Sequence, residues 1–293
     1  MDWPRVKNIL IISFLILNLL LASRLYVQPN FAFSTERLSE ERRDAIVHVL
    51  EQNGVIISAT LSRPPSRLPD MKIRVKAYSA EETTRMWTDI LGSAAQQASP
   101  NVLPLEEQPV SFVLGLEELV ITSRGYVTYY DRGLTPMSTV LSEDEAKAIA
   151  TKFMREKLGN PADFVFDGIS YIEPMGYRVD YVQRYKGFLM FPGYIMMVVK
   201  PSGVEAMWLC RLEVSSKLWG GKDILTSHEA LLILLSHRLN SGETSNMEVQ
   251  SVDLGYHSTI YDSDQAWEAV PVWRVHTSVG EFYVNALSGI IEQ

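Results

Sequence analysis

The chain has 293 residues, 46% hydrophobic, 10% aromatic and 21% charged, with a net charge of −8. This composition supports one large or several small packed domains and requires no long disordered tail. The acidic balance removes the electrostatic footprint of a nucleic-acid binder, and the single cysteine, Cys210, excludes an intrachain disulfide.

The first element is the one strongly apolar run. Between Lys7 and Arg24 lie sixteen residues, apolar except for Asn8, Ser13, Asn18 and Ser23. As a helix rising about 1.5 Å per residue, the run reaches roughly 24 Å, short of a ~30 Å hydrocarbon core. Lys7 and Arg24 can close the gap by snorkelling their stems. A signal-peptide core shares this length. Against that, the run fills nearly the whole interval between two cations, and Leu21-Ala22-Ser23 is a poor small-x-small cleavage site. No cysteine follows closely enough to carry a lipid, so the expectation is an uncleaved single-pass anchor. Arg5, Lys7 and the terminal amine precede it, while Arg24, Arg37, Arg42 and Arg43 follow. Long domains cross a membrane largely regardless of charge, so the expected topology is a cytoplasmic N-terminus with the rest extracellular.

Within that helix Ile11, Leu15, Asn18 and Ala22 recur on one face. An amide in hydrocarbon gains roughly 0.6–2 kcal/mol from a neighbouring helix, and small Ala22 allows close approach. This face is the candidate partner-helix contact. The competing reading is a tolerated polar residue in a passive anchor.

Residues 28–37 are polar and read as a stalk. Ser39 with Glu40 and Glu41 opens a helix to about Gln52, with Ile46, Val49 and Leu50 on one face and Asn53-Gly54 at its end. A strand is expected over 55–60, a proline-bearing loop over 63–70, and an alternating strand over 71–77. Ser79 caps a second helix to Leu91, residues 92–109 read as an exposed loop, and strands follow at 110–114, 118–122 and 125–130. From Leu141 a plan repeats. Ser142 and Thr226 each open a helix in the pattern L-[ST]-x-x-E-A, followed by strands at 164–173, 177–185, 193–200 and 204–214, then 247–256, 269–277, 280–285 and 289–292. Gly220-Gly221 reads as a hinge between the repeats.

The expected fold class is therefore α+β: an N-terminal single transmembrane helix followed by an ectodomain of helix-plus-antiparallel-sheet units. Its divisions are 1–27 (cytoplasmic tail and transmembrane helix), 28–37 (stalk), 38–135 (N-terminal α+β ectodomain), 136–220 (second helix-plus-meander unit) and 221–293 (C-terminal helix-plus-meander unit).

No catalytic set emerges from the residues. His48, His228, His237, His257 and His276 show neither H-x-x-x-H nor H-E-x-x-H spacing. His228 and His237 fall on opposite sides of one expected helix, at about 100° per residue. G-x-S-x-G and S-x-x-K are both missing, and Asp262-Ser263-Asp264 lacks the rest of a calcium loop. A distant carboxylate pair for a wall-active hydrolase stays open, with almost no specificity among thirty-five acids. Cys210, in Met207-Trp208-Leu209-Cys210, reads as a small core hydrophobe. No cofactor and no metal are expected.

The aromatic stretch from Tyr177 to Tyr194 reads first as a β-hairpin with rings packing across strands. Its functional reading is a protein-contact surface at Tyr177, Tyr181, Tyr185 and Phe188, around Lys186-Gly187.

Two resemblances add to these readings. Pro271-Val272-Trp273-Arg274-Val275, then Tyr283-Val284-Asn285-Ala286 and Ser288-Gly289-Ile290, resemble the second half of PepSY-type modules, which are associated with binding and inhibition in exported proteins. Met1-Asp2-Trp3, Arg5 and Lys7, and Phe14-Leu15-Ile16-Leu17-Asn18 resemble the opening of the YycI family. Pro4 departs from that opening, though it suits a helix start. The second resemblance implies a non-enzymatic, membrane-anchored regulator of the sensor histidine kinase WalK (YycG). Such a protein acts with YycH through transmembrane-helix contacts and adjusts cell-wall metabolism. The alternative is an extracytoplasmic binding module for a peptide, wall fragment or protease.

Overall fold

Four helices and seventeen strands occupy the residues described by the computed structural model, 40–61, 65, 67–97, 109–135, 140–173, 176–217, 221–243, 245–258 and 266–292. The expected anchor, with Ile11, Leu15, Asn18 and Ala22, lies outside them. Among the described residues no helix is long and apolar enough to cross a membrane. Residues Ile46–Gln293 form one compact unit, and of a second, Met1–Ala45, only the start of the first helix is described.

Helix α1 (Glu40–Gln52) leads to strands β1 (Val55–Ile57), β2 (Arg67–Leu68) and β3 (Met71–Val75). Helix α2 (Ala80–Leu91) precedes β4 (Gln96–Gln97), β5 (Val110–Leu114), β6 (Glu117–Ile121) and β7 (Tyr126–Asp131). Helix α3 (Glu143–Lys157) precedes β8 (Phe164–Ile172), β9 (Gly176–Tyr185), β10 (Phe188–Lys200), β11 (Gly203–Cys210) and β12 (Leu212–Lys217). Strand β13 (Lys222–Asp223), helix α4 (Ser227–Asn240) and strands β14 (Met247–His257), β15 (Trp267–Thr277), β16 (Gly280–Asn285) and β17 (Ile291–Glu292) complete the order.

Three of the helices begin alike because their sequences supply the same reciprocal cap. Ser79 with Glu82, Ser142 with Glu145 and Thr226 with Glu229 each satisfy free N–H groups at both cap and third position. The Lys76 ammonium and the hydrogen bond from the Ser79 backbone lower the Glu82 pKa to about 2. Helix α3 then turns Ala146, Ala150 and Met154, spaced by four, onto the sheet.

The fold is α+β with a large, mostly antiparallel sheet. Fifteen of the strands join it, in the order β12-β3-β15-β14-β10-β11-β7-β6-β5-β4, with β1 on β14, β8 on β9, β9 on β10, and β16 and β17 beyond β15. Pairings of β14 with β1 and with β10 are parallel. Strands β2 and β13 form a separate clip, so residues 63–70 are not wholly loop. Pairing of β15 with β3, and of β11 with β7, runs across the boundaries expected between units.

Two strands depart from expectation for a stated reason. Strand β10 starts at Phe188 rather than Gly193 and runs through Pro192. The proline is tolerated because pairing with β9 is interrupted between Met190 and Tyr194, so no ladder bond needs its missing N–H. The run expected over 204–214 breaks at Arg211, because β11 serves β10 and β7 whereas β12 serves β3. At the break, the Lys76 N–H donates to the Arg211 carbonyl at 2.7 Å.

One apolar cluster gathers Ile90 and Leu91 of α2, the buried side of α3, and Val179, Ile195, Met197 and Met207 of the sheet. A second surrounds Ile73, Met190, Leu212, Tyr256 and Trp267. Helix α4 packs on β15 and β16, where the Trp273 indole N–H donates to the Leu225 carbonyl at 2.8 Å.

Candidate functional site

The long hairpin β9–β10 carries the four aromatics expected as a contact surface. Its turn is set by Lys186 (φ 49°) and Gly187 (φ 93°), two left-handed residues that match the twist of paired strands. Phe188 pairs with Tyr185 across that turn, and Tyr177 pairs with Val199 near the other end. The structure does not bring the four rings onto one surface. Tyr181 is only 7% exposed and belongs to the first apolar cluster, where Tyr177 also packs. Tyr185 and Phe188 pack instead against the second, with Phe188 edge-on to buried Tyr256 at 6.0 Å. The rings thus anchor the two ends of one hairpin in two cores.

Between those ends lies a polar junction. Gln183 is buried, and its amide imitates a peptide group: Oε1 accepts from the Leu212 N–H at 2.7 Å and Nε2 donates to the Leu212 carbonyl at 3.0 Å. Its side chain crosses Gly193 so closely that a Cβ there would lie 2.5 Å from Oε1, hence glycine at the bend. Elsewhere in the sheet, Arg274 of β15 stands opposite Asp253 of β14 and Tyr283 of β16. Its guanidinium reaches Asp167 through two nitrogens at 2.6 and 2.7 Å, and Asp253 at 3.3 Å. Asp167 is the extra residue of a bulge in β8 between Phe166 and Gly168, which turns its side chain to meet this partner. The guanidinium also lies over the Phe191 ring, 4.6 Å from its centre.

Electrostatics explain how so many charges share this space. Burial works against the Arg274 cation, but the hydrogen bonds and charge of Asp167, with Glu281 and Asp253, raise its pKa. Burial lifts the Asp180 carboxyl, and Asp167 and Glu281 push the same way against Arg178. The Tyr283 hydroxyl donates to Glu281 at 2.6 Å, and its ring stacks on His257 at 4.3 Å. Burial lowers the His257 pKa, partly offset by Glu292 and Glu281.

Chemically, Arg274, Asp167 and Asp253 neutralise one another through direct bonds and brace β15 against β8 and β14. The Cys210 thiol is buried and pushed up to about 12, far from the thiolate a nucleophile needs. Among the described residues no three of His, Cys, Asp or Glu are grouped so as to hold a metal ion.

Gln183 and Arg274 escaped the reading of the residues, yet each left a signal. A glutamine amid Tyr181-Val182 and an arginine amid Val272-Trp273 and Val275 are polar groups in apolar strands, which fold only with partners built in.

A family model described as "YycI protein" matches residues 34–287, most of the chain. Among solved structures, the crystal structure of an uncharacterized protein from Eubacterium rectale is similar, with a TM-score of 0.54. That likeness covers 88% of this chain and 99% of that one at 8% identity, which shows a shared fold alone. No curated protein matches.

Proposed function

Because the chain belongs to the YycI family, a family of regulators of the WalK (YycG) two-component system and not a known enzyme family, we propose that it is a membrane-anchored, non-enzymatic modulator of that kinase. In this reading it works with YycH through transmembrane-helix contacts and so adjusts cell-wall metabolism. The family match over residues 34–287 is the observation that carries the reading. The sixteen-residue apolar run between Lys7 and Arg24 supports the single-pass anchor, cytoplasmic N-terminus and extracellular remainder. Asn18, with Ile11, Leu15 and Ala22, supplies the contact face, and the helices opened by Ser142 and Thr226, each followed by strands, are read as repeated units carried outside.

The test replaces residues 8–23 with an unrelated apolar helix, and separately makes Asn18→Leu. Co-purification with the kinase should weaken about three- to tenfold on losing a contact of roughly 0.6–1.4 kcal/mol, and a reporter of kinase output should shift with it. Full regulation through an unrelated helix would overturn the transmembrane mechanism.

A further inference from the structure

The cluster around Arg274 holds more acids than its cations neutralise. Asp167 comes from β8, Asp180 from β9, Asp253 from β14 and Glu281 from β16. Arg274 is committed to Asp167 at 2.6 and 2.7 Å and to Asp253 at 3.3 Å, while its Nε lies 3.9 Å from Glu281, too far for a hydrogen bond. Arg178 reaches both oxygens of Asp180, at 2.9 and 2.8 Å. Glu281 accepts from the Tyr283 hydroxyl and has the His276 ring 3.8 Å away. Four carboxylates against two guanidinium groups leave negative charge in excess while every acid is ionised. Asp180 carries that excess with the least support. Its side chain is 25% exposed, whereas its direct partner Arg178 is 50% exposed and so screened by water. The sheet fixes what surrounds it. On β8, Gly168 stands opposite, next to the bulge residue Asp167. On β10 the opposite residue is Met196, which bears no charge. Helix α3 packs on the other face of β9, with Val179 and Tyr181. Burial, Asp167 and Glu281 favour the neutral acid, and Arg178 opposes them.

We propose that this cluster is a proton-responsive grip: on acidification Asp180 takes up a proton, and the paired strands β8 and β9 close more firmly on β15 and β16. The attraction across this joint, Asp167 to Arg274, is held by a guanidinium that stays charged. The repulsion across it, Asp180 against Glu281, disappears with the proton. The folded chain keeps that proton to higher pH than the unfolded chain, whose ordinary value is 3.8. The gain is therefore complete below pH 3.8 and is lost as pH rises through the raised folded value. This inference goes beyond the transmembrane reading and does not rest on it, since its test involves no kinase.

The test compares the full chain with its Asp180→Asn variant, a stand-in of the same shape for the protonated acid, by thermal unfolding at matched pH from 7.5 down to 4. Loss of an ion pair would by itself lower the melting temperature. The grip requires the reverse: a melting temperature higher by about 1–3 °C at pH 7.5, with the gap closing toward pH 4. In a Glu281→Gln background the gain at pH 7.5 should shrink, because the repulsion across the joint is already gone. Amide exchange of residues 164–168 and 272–276 should slow in Asp180→Asn at pH 7.5. Should that variant fail to fold, Arg178→Gln removes the opposing cation and should lower the melting temperature more at pH 7.5 than at pH 4.5. A lower melting temperature for Asp180→Asn at pH 7.5, or a gap that does not change with pH, overturns the proposal. So does an equal gain with and without Glu281, which would confine the effect to the burial of one carboxyl.

Discussion

The two halves of the β9–β10 hairpin are held by opposite physics. Toward Tyr177 and Val199, the strands lie under α3 and are fixed by close-packed apolar side chains, with Val179, Ile195 and Met197 fully buried. Toward Gly193, a buried amide ties β9 to β12, and the Arg274 guanidinium, bonded to β8 and β14, lies over Phe191 of β10. Apolar burial tolerates small slips because any hydrophobic neighbour of the right volume serves. Hydrogen bonds and ion pairs do not, because a misplaced donor leaves a desolvated group behind. One end of the hairpin therefore supplies stability, and the other fixes which strands meet.

Three measurements would break or sharpen this contrast. The largest effect is expected at the apolar end. Met197→Ala opens a cavity at a site with no exposure and should cost about 2–5 kcal/mol in denaturant unfolding. A loss under about 1 kcal/mol would mean that the helix-covered cluster is not the stabilising half. Next, Arg274→Ala should cost about 2–3 kcal/mol, less than a fully buried pair, because Asp167 keeps 23% side-chain exposure. Replacing the two most closely bonded partners, Arg274→Met with Asp167→Leu, should recover part of that stability, since the remaining partner Asp253 keeps 36% side-chain exposure and can turn to water. A double variant as unstable as the sum of the singles would refute the clasp.

The smallest effect is a pH dependence. The folded His257 pKa lies below its ordinary value of 6.5, so the unfolded chain binds more protons there. Stability is complete above pH 6.5 and falls as pH drops from 6.5 through the lower folded value. His257→Gln should flatten that slope while leaving the other acid transitions in place. A melting curve between pH 5 and pH 7.5 that is identical in both chains would remove His257 from the junction's energetics.

How much of this could be read from the residues follows the range of the forces involved. The capping boxes at Ser79, Ser142 and Thr226 act over three or four residues, so they were legible. The alternation of Met71–Val75 was legible for the same reason. Strand order was not, because β3 meets β12 and β15 across more than a hundred residues of chain. Pro192 argued locally against a strand, and only the interrupted pairing with β9 explains why β10 runs through it. The aromatics of the hairpin were visible as a cluster, but composition does not distinguish rings that meet a partner from rings that meet a core. The Asp167–Arg274 clasp joins residues 107 apart, which no spacing rule reaches.

The strand order also bears on when this chain can fold. Strand β1 finds its partner in β14, and β3 is enclosed between β12 and β15, so the first strands made are completed by some of the last. During synthesis β1 stays without its partner until residues 247–249 have emerged, and the second edge of β3 until residues 267–269 have. High-separation pairing of this kind slows folding and lengthens the time that apolar edges stand open. A chain cut short before β15 would keep its helices' capping boxes yet lose the enclosure of Ile73, and quality control would meet it as an unfinished sheet.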